Sequence, residues 1–226
     1  MRLVYGSALA LAIASLVPLT TAAQDANRTV AGGGITAKGW QGKADGTGQV
    51  SEAKLSEEGK DLHVVTGPAI TYWNPANKAA GNYTVKATFT EPKYMNLNNH
   101  PHPYGIVIAG NDLGTDQQSY LYCAAYGDGK FIVRGFGPAS FQMNGRGEPN
   151  EAVAKAAGKD QPVKQEIAMS VKGDKVECAI NGKTVASYDK AALVSAGKLK
   201  STDGVYGIRF AHNTSAVVTG LAVTKP

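Results

Sequence analysis

The sequence predicts an all-β protein, built as two antiparallel sheets packed face to face in a β-sandwich or jelly roll. Three observations carry this. The stretch Tyr104–Phe136 reads YGIVIAG, a polar loop, then SYLYCAAYGDGKFIVRGF, which is three strand-like runs with a tight Gly-Asp-Gly turn between the last two. The stretch Ser170–Tyr188, SVKGDKVECAINGKTVASY, folds back twice, at Gly173-Asp174 and at Asn181-Gly182, and Asn-Gly is a strong short-range hairpin signal. With 27 glycines and only 18% charged residues, the composition suits a turn-rich β protein and not a helical bundle.

Taken in order, the chain opens on a short positive start, Met1-Arg2. An apolar run from Leu3 to Leu19 follows, then small residues at Thr21-Ala22-Ala23. This is the pattern of a secretory signal peptide over residues 1–23; the apolar run is short for a bilayer span and no basic stop-transfer cluster follows it. Residues 24–34 (QDANRTVAGGG) are polar and end in three glycines, so a flexible N-terminal segment is expected there. Residues 35–226, about 200 residues, suit a single β-sandwich domain with one core. Its opening, ITAKGWQGKADGTG, reads as loop anchored by Trp40. Gln49–Leu55 alternates weakly and Glu57–Asp61 reads as a turn. Leu62–Val65 and Ala69–Trp73 read as strands, the second stopped by Asn74-Pro75 because proline cannot extend a ladder.

Asn82–Thr90 alternates cleanly, with Tyr83, Val85, Ala87 and Phe89 on one face and Thr84, Lys86, Thr88 and Thr90 on the other, which is the pattern of a half-buried antiparallel strand. Tyr104–Ala109 is apolar throughout and is expected to be central. Asn144–Lys159 has no clear period and reads as a long loop with room for a short helix. Val163–Val171, Lys175–Ile180 and Lys183–Tyr188 form a meander. Asp189–Val194 can make a helical turn or two, and Val205–His212 and Ala216–Val223 close the chain as strands, for ten to twelve strands in all.

Hairpin register fixes which side chains share a face. A three-residue loop, Gly127-Asp128-Gly129, pairs Cys123 with Val133 and Ala125 with Phe131, and gathers Leu121, Cys123, Ala125, Phe131 and Val133 on one apolar side. Gly129 would then take the left-handed position. The opposite side carries Tyr120, Tyr122, Tyr126, Lys130, Arg134 and Phe136, with Ile132 as an apolar misfit. If Arg209 shares this face, one sheet presents tyrosines and arginines to solvent. Aromatic rings stack on the apolar faces of sugars, and guanidinium forks bind hydroxyls or carboxylates, so a carbohydrate or polysaccharide is the partner such a face suits. Tyrosines also line sheet surfaces simply because they favour strands.

The succession of a strand ending in Trp73, then GNYTVKATF, YGIVIAG, SYLYCAAYGDGKFIVRGF, IAMSVKGDKVECAINGKTVASY and GVYGIRFAHNTSAVVTGLAV resembles the concanavalin A-like lectin/glucanase jelly rolls. It is most similar to their bacterial laminin-G-like and 3-keto-disaccharide hydrolase (DUF1080-type) branch, over Ile35–Val223. The resemblance implies a fold whose members bind or cleave glycans, mostly on the concave face. The chain departs from the glucanases in lacking an ExDxE-like strand: Glu57-Glu58 lies in a turn, Glu148 and Glu151 in the long loop, and Glu166 and Glu177 stand alone. Retaining hydrolysis needs two carboxyl groups about 5 Å apart, and no pair is nominated. An Asn-Ser-Gly motif associated with the keto-disaccharide branch is also missing.

Other constellations are fewer. Cys123 and Cys178 are the only cysteines. In an exported chain an even count points to a disulfide, worth about 4 kcal/mol on chain-entropy grounds, with two buried free thiols on neighbouring strands as the alternative. The loop Asn99-His100-Pro101-His102-Pro103-Tyr104 holds two histidines in an extended, proline-restricted backbone, where they could contact a sugar, act as acid or base, or ligate a metal with His212 as a third group. Asn111, Asp112 and Asp116 lack the oxygen density of a calcium loop, so no cofactor is expected beyond a structural calcium left open there. The net charge of +5 is spread without any Lys/Arg run, which argues against a nucleic-acid partner, and no membrane role is expected once the leader is removed. No dinucleotide, P-loop, GxSxG or HExxH motif occurs.

These readings converge on a secreted or periplasmic carbohydrate-binding jelly roll without the familiar glucanase carboxylates, its ligand face made by Tyr120, Tyr122, Tyr126, Arg134, Arg209, His100, His102 and His212. Two alternatives stand beside it: a glycoside hydrolase or polysaccharide lyase on the same fold, and a structural or interaction protein of the cell envelope.

Overall fold

The computed structural model describes residues 26–97 and 100–226, and the expected leader at 1–23 lies outside them. In chain order the strands are β1 (Gly34–Ile35), β2 (Gln41–Ala44), β3 (Ala53–Glu58), β4 (Asp61–Thr66), β5 (Ile70–Ala79), β6 (Tyr83–Glu91), β7 (Asn96–Leu97), β8 (His100–Pro101) and β9 (Tyr104–Asn111). They continue as β10 (Ser119–Ala125), β11 (Lys130–Phe136), β12 (Ser140–Gln142), β13 (Glu148–Pro149), β14 (Val163–Lys172), β15 (Lys175–Ile180), β16 (Lys183–Asp189), β17 (Gly204–Phe210) and β18 (Ser215–Thr224). A short helix, α1 (Lys190–Leu193), lies within the segment expected to make a helical turn.

Two large sheets result. The first runs β1-β3-β4-β18-β6-β14-β15-β16, and the second β12-β11-β10-β9-β17-β5-β2 with β13 also on β11. Among the described residues all their pairings are antiparallel except β1 with β3. This is the two-sheet antiparallel sandwich of a jelly roll. The core between the sheets takes Val85, Ala87 and Phe89 from β6, Tyr104, Ile106 and Ile108 from β9, and Leu121, Cys123 and Ala125 from β10. Phe89 and Tyr104 stack across it at 5.5 Å. The alternation read in β6 is the alternation observed, with its odd-numbered residues buried. Strand β9, flanked by β10 and β17, is buried on both faces, as a continuous apolar run requires.

The hairpins have the expected registers. Cys123 pairs with Val133 and Ala125 with Phe131, and Gly129 has φ 92°. At the Asn181-Gly182 turn both residues have positive φ, 49° and 81°, the requirement of a type I′ turn, and Ile180 pairs with Lys183. Cys123 on β10 of one sheet is disulfide-bonded to Cys178 on β15 of the other, with Cα atoms 6.2 Å apart. The bridge therefore staples sheet to sheet instead of neighbouring strands.

Two local expectations are corrected and a third, the long loop, is borne out without the helix it left room for. Asn74-Pro75 does not end β5. Trp73 pairs with Gly207 and Lys78 with Val205, so residues 74–77 bulge out of the ladder and the strand resumes. A proline is tolerated there because a bulged residue donates no ladder bond; the Asn74 side chain accepts the Ala76 N–H instead, at 3.0 Å. Gln41–Ala44, read as loop, is an edge strand on β5. The described 144–159 loop contains no helix; Glu148–Pro149 pairs with β11, and Asn144 takes the Val133 N–H at 2.7 Å. Within the expected flexible segment, Ala26 and Arg28 are hydrogen-bonded to Asn213, and the Arg28 guanidinium donates to the carbonyls of Thr66 and Thr214.

Candidate functional site

The outer face of the second sheet is where side chains of opposite character meet. Two rows of register partners cross it. One runs Arg209, Gly105, Ala124, Ile132, and the other Gly207, Val107, Tyr122, Arg134. Val107, Tyr120, Tyr122, Ala124 and Ile132 form a small apolar cluster of their own on this side, with Leu113, Tyr126 and Phe136 packed against it. Ile132, the misfit of the sequence pattern, thus belongs to a second, outer core. Above this floor lies a cleft of about 730 Å³, within the range of small-molecule and sugar sites.

Arginine 209 makes one wall. Its register neighbour on β9 is Gly105, so nothing larger than hydrogen blocks its path over that strand. The guanidinium extends to lie 5.0 Å from the Tyr122 ring centroid and 4.9 Å from that of Phe136, good cation–π distances. It also forks onto Asp45, with Nη1 3.0 Å from Oδ1 and Nη2 on Oδ2, and Nη1 donates to Thr71 Oγ1 at 2.8 Å and Tyr120 Oη at 3.2 Å. Burial works against its charge, but Tyr120, Asp45 and Tyr122 outweigh burial and hold its pKa above the ordinary value. Burial pushes Tyr120 up to about 12, so it stays a neutral donor and acceptor between Thr71 and Arg209.

The opposite wall is different. Tyr126, Lys130, Arg134, Arg146 and Gly147 line it. Lys130 is paired with Asp128 at 2.6 Å. Among the described residues neither Arg134 nor Arg146 has an ion-pair partner, and Arg134 Nε is buried without a hydrogen-bond partner. Burial raises the Tyr126 hydroxyl to about 12, with Tyr122 adding to it; Arg134 and Arg146 both pull it the other way, which places both cations within electrostatic reach of that hydroxyl.

At the rim, His102 and His212 meet with ring centroids 4.0 Å apart, and the Ala211 N–H donates to the Pro103 carbonyl at 2.9 Å, so the proline loop is tied to the end of β17. The side chain of His100 lies outside the described residues. Among the described residues no three His, Cys, Asp or Glu side chains gather in a group able to hold a metal. Asp112 and Asp116, weighed for calcium, face Lys200 and Lys43.

The cleft therefore brings together Tyr122, Tyr126, Arg134, Arg209, His102 and His212 of the expected ligand face. Tyr120 lies below it, 1% exposed, as a support for Arg209. The expectation that Arg209 offers its fork to solvent is corrected: it is 7% exposed and committed to Asp45. Sequence reading missed Asp45, Arg146 and the cleft-lining role of Lys130 and Ile132. Asp45 follows an unrecognised edge strand, held by its own N–H on Ala69 at 2.8 Å, and Arg146 sits in an aperiodic loop; neither carries a local signal.

No protein-family model matches the sequence, and no curated protein does. Among solved structures the chain is similar to the carbohydrate binding module CBM66 from Bacillus subtilis, at 9% identity over 84% of this chain and 98% of that one, with a TM-score of 0.55. It is similar to a protein of unknown function with a galectin-like fold, also from Bacillus subtilis, at 15% identity over 82% and 89%, TM-score 0.57. It is similar, too, to the endo-β-1,3-glucanase from Pyrococcus furiosus, at 12% identity over 76% and 77%, TM-score 0.50. At such identities the likeness is one of fold, and the fold is the lectin/glucanase-type jelly-roll sandwich.

Proposed function

We propose that the protein is an exported carbohydrate-binding domain that holds a glycan in the cleft of the second sheet without cleaving it. The observation that carries this reading is the cleft itself: an apolar floor of Tyr122, Ala124 and Ile132, the Tyr126 ring at its side, and guanidinium donors standing over them. Sugars present an apolar ring face and a rim of hydroxyls, and this pairing of surfaces matches both. The shared fold with a carbohydrate binding module supports it. Cleavage is disfavoured because Asp45 is the one carboxylate in the cleft lining among the described residues, and it is occupied by Arg209, whereas glycoside hydrolysis uses two carboxyl groups across the scissile bond. Export is supported by the leader pattern and by the disulfide. From the order of the sequence motifs alone, the proposal extends to a likeness with the 3-keto-disaccharide hydrolase branch of that superfamily.

The test is retention of residues 24–226 on a broad polysaccharide array, with product analysis of every bound sugar. Binding without products is expected, abolished in the Tyr126→Ala/Arg134→Ala protein while its melting curve stays cooperative. Released oligosaccharide would move the protein to the enzymes of this fold. Absence of any binding would move it to an envelope interaction protein.

A further inference from the structure

Resting on the glycan-binding reading, the structure assigns a class of sugar: we infer that the cleft takes an anionic residue, a uronic acid whose carboxylate is held by Arg134 and Arg146. Four cations line the cleft, Lys130, Arg134, Arg146 and Arg209, against one anion, Asp45. Asp45 is bound by Arg209 and Lys130 is bound by Asp128. Both remaining cations are arginines, and both line the cleft with Tyr126, within electrostatic reach of its hydroxyl.

The state of Arg134 is the decisive detail. It stands on β11 directly opposite Tyr122, half-buried, with Nε sequestered from water and no acceptor. A sequestered donor without a partner is costly, and a charged one more so. Elsewhere on the same face the fold completes a structural arginine by itself, since Arg209 receives a bidentate carboxylate from Asp45. Arg134 receives none among the described residues, so the carboxylate that completes it must come with the ligand. A planar fork matches a planar carboxylate in two parallel N–H···O bonds, whereas a neutral hydroxyl engages it through one. Arg146, exposed on the loop, adds a second positive charge without burying one.

The test compares retention of the 24–226 protein on alginate and polygalacturonate (carboxylate), dextran sulfate (sulfate), and laminarin and dextran (neutral), at low and at physiological salt. A basic protein adheres weakly to any polyanion, so the controls remove equal charge. Arg134→Ala and Arg146→Ala are compared with Lys164→Ala, an exposed change on the first sheet. The expected result is that at least one uronate polymer binds tenfold or more tightly than the neutral glucans at physiological salt, that Arg134→Ala and Arg134→Lys both lose tenfold or more, that Arg146→Ala loses several-fold, and that Lys164→Ala changes nothing. Neutral glucans bound as tightly as uronates would overturn the inference while leaving the glycan-binding reading intact. Dextran sulfate bound as tightly as the uronates, or an equal loss in Lys164→Ala, would overturn the carboxylate assignment as plain charge attraction. No retention on any polymer would remove both readings together.

Discussion

The two walls of the cleft are each built on an arginine from the same sheet face, yet they are opposite in state. Arg209 is enclosed, lying over the adjacent rings of Tyr122 and Phe136, and neutralised by Asp45; Arg134 is opposite Tyr122, its Nε sealed off and unmatched among the described residues. The first wall is complete without any ligand, so it supplies shape. The second is incomplete, so it supplies demand. The same residue type, with two strands between its two copies, is therefore structural in one place and, on the reading proposed above, recognitive in the other; the partner groups tell them apart.

That contrast can be broken or sharpened experimentally. The harshest break is to cut the staple beneath both walls. Cys123 belongs to the strand that carries Tyr122, and its bond to Cys178 closes a 55-residue separation, so reduction or Cys123→Ser/Cys178→Ser should cost about 4 kcal/mol in denaturant unfolding and loosen both walls alike. Preservation of the midpoint would mean the sheets hold without it.

A third buried charge gives the next effect. Glu91, at the end of β6, is 1% exposed; burial raises its pKa from 4.5 to about 7, against the hydrogen bond from the Met95 N–H, the Tyr104 hydroxyl and the Arg28 charge, all of which lower it. The fold favours the protonated form. Stability is therefore fullest below about 4.5 and falls as pH rises through about 7, by about 3 kcal/mol in all. Melting temperatures taken across that window should decline in the wild type and stay flat in Glu91→Gln; parallel curves would exclude Glu91 as the cause.

Within the walls, Asp45→Asn should cost about 2 kcal/mol. Removing one partner of a buried pair is worth roughly 3–5 kcal/mol, and the figure is reduced here because the Asp45 side chain is 37% exposed while that of Arg209 is 8%. Calorimetry checks it, and a change below about 0.5 kcal/mol would reclassify the pair as a surface contact. The smallest effect is the most telling: Arg134→Ala should leave stability within about 0.5 kcal/mol of wild type, or raise it, because no partner among the described residues is lost. A large loss of stability would put Arg134 with Arg209 among the structural residues.

What could be read from the sequence follows the range of the interaction. Alternation in β6, the apolar run of β9 and the turn chemistry at Gly129 and Asn181-Gly182 are local, and burial on one face permits one register only. The shared face of Tyr122 and Arg134 followed from that register; Arg209 stood there only as a condition, which its pairing with Gly105 meets. The commitment of Arg209 did not follow, since Asp45 lies 164 residues away, just after an edge strand that reads as loop. Pro75 shows the same limit: a proline signals that its N–H leaves the ladder, but not whether the strand stops or bulges and resumes.

One anchoring contact has an evolutionary meaning. Asn144 grips the β11 backbone at Val133 and donates to Glu148, which itself sits in register on β11. The few residues between are an arch with both feet fixed to the strand that bears Arg134, and Arg146 rides on its crown. Lengthening or shortening that arch by one residue would change the spacing between two guanidiniums while disturbing no sheet hydrogen bond. Ligand choice in such a scaffold can diverge by indel, quickly and at little folding risk, while the sandwich underneath stays as it is.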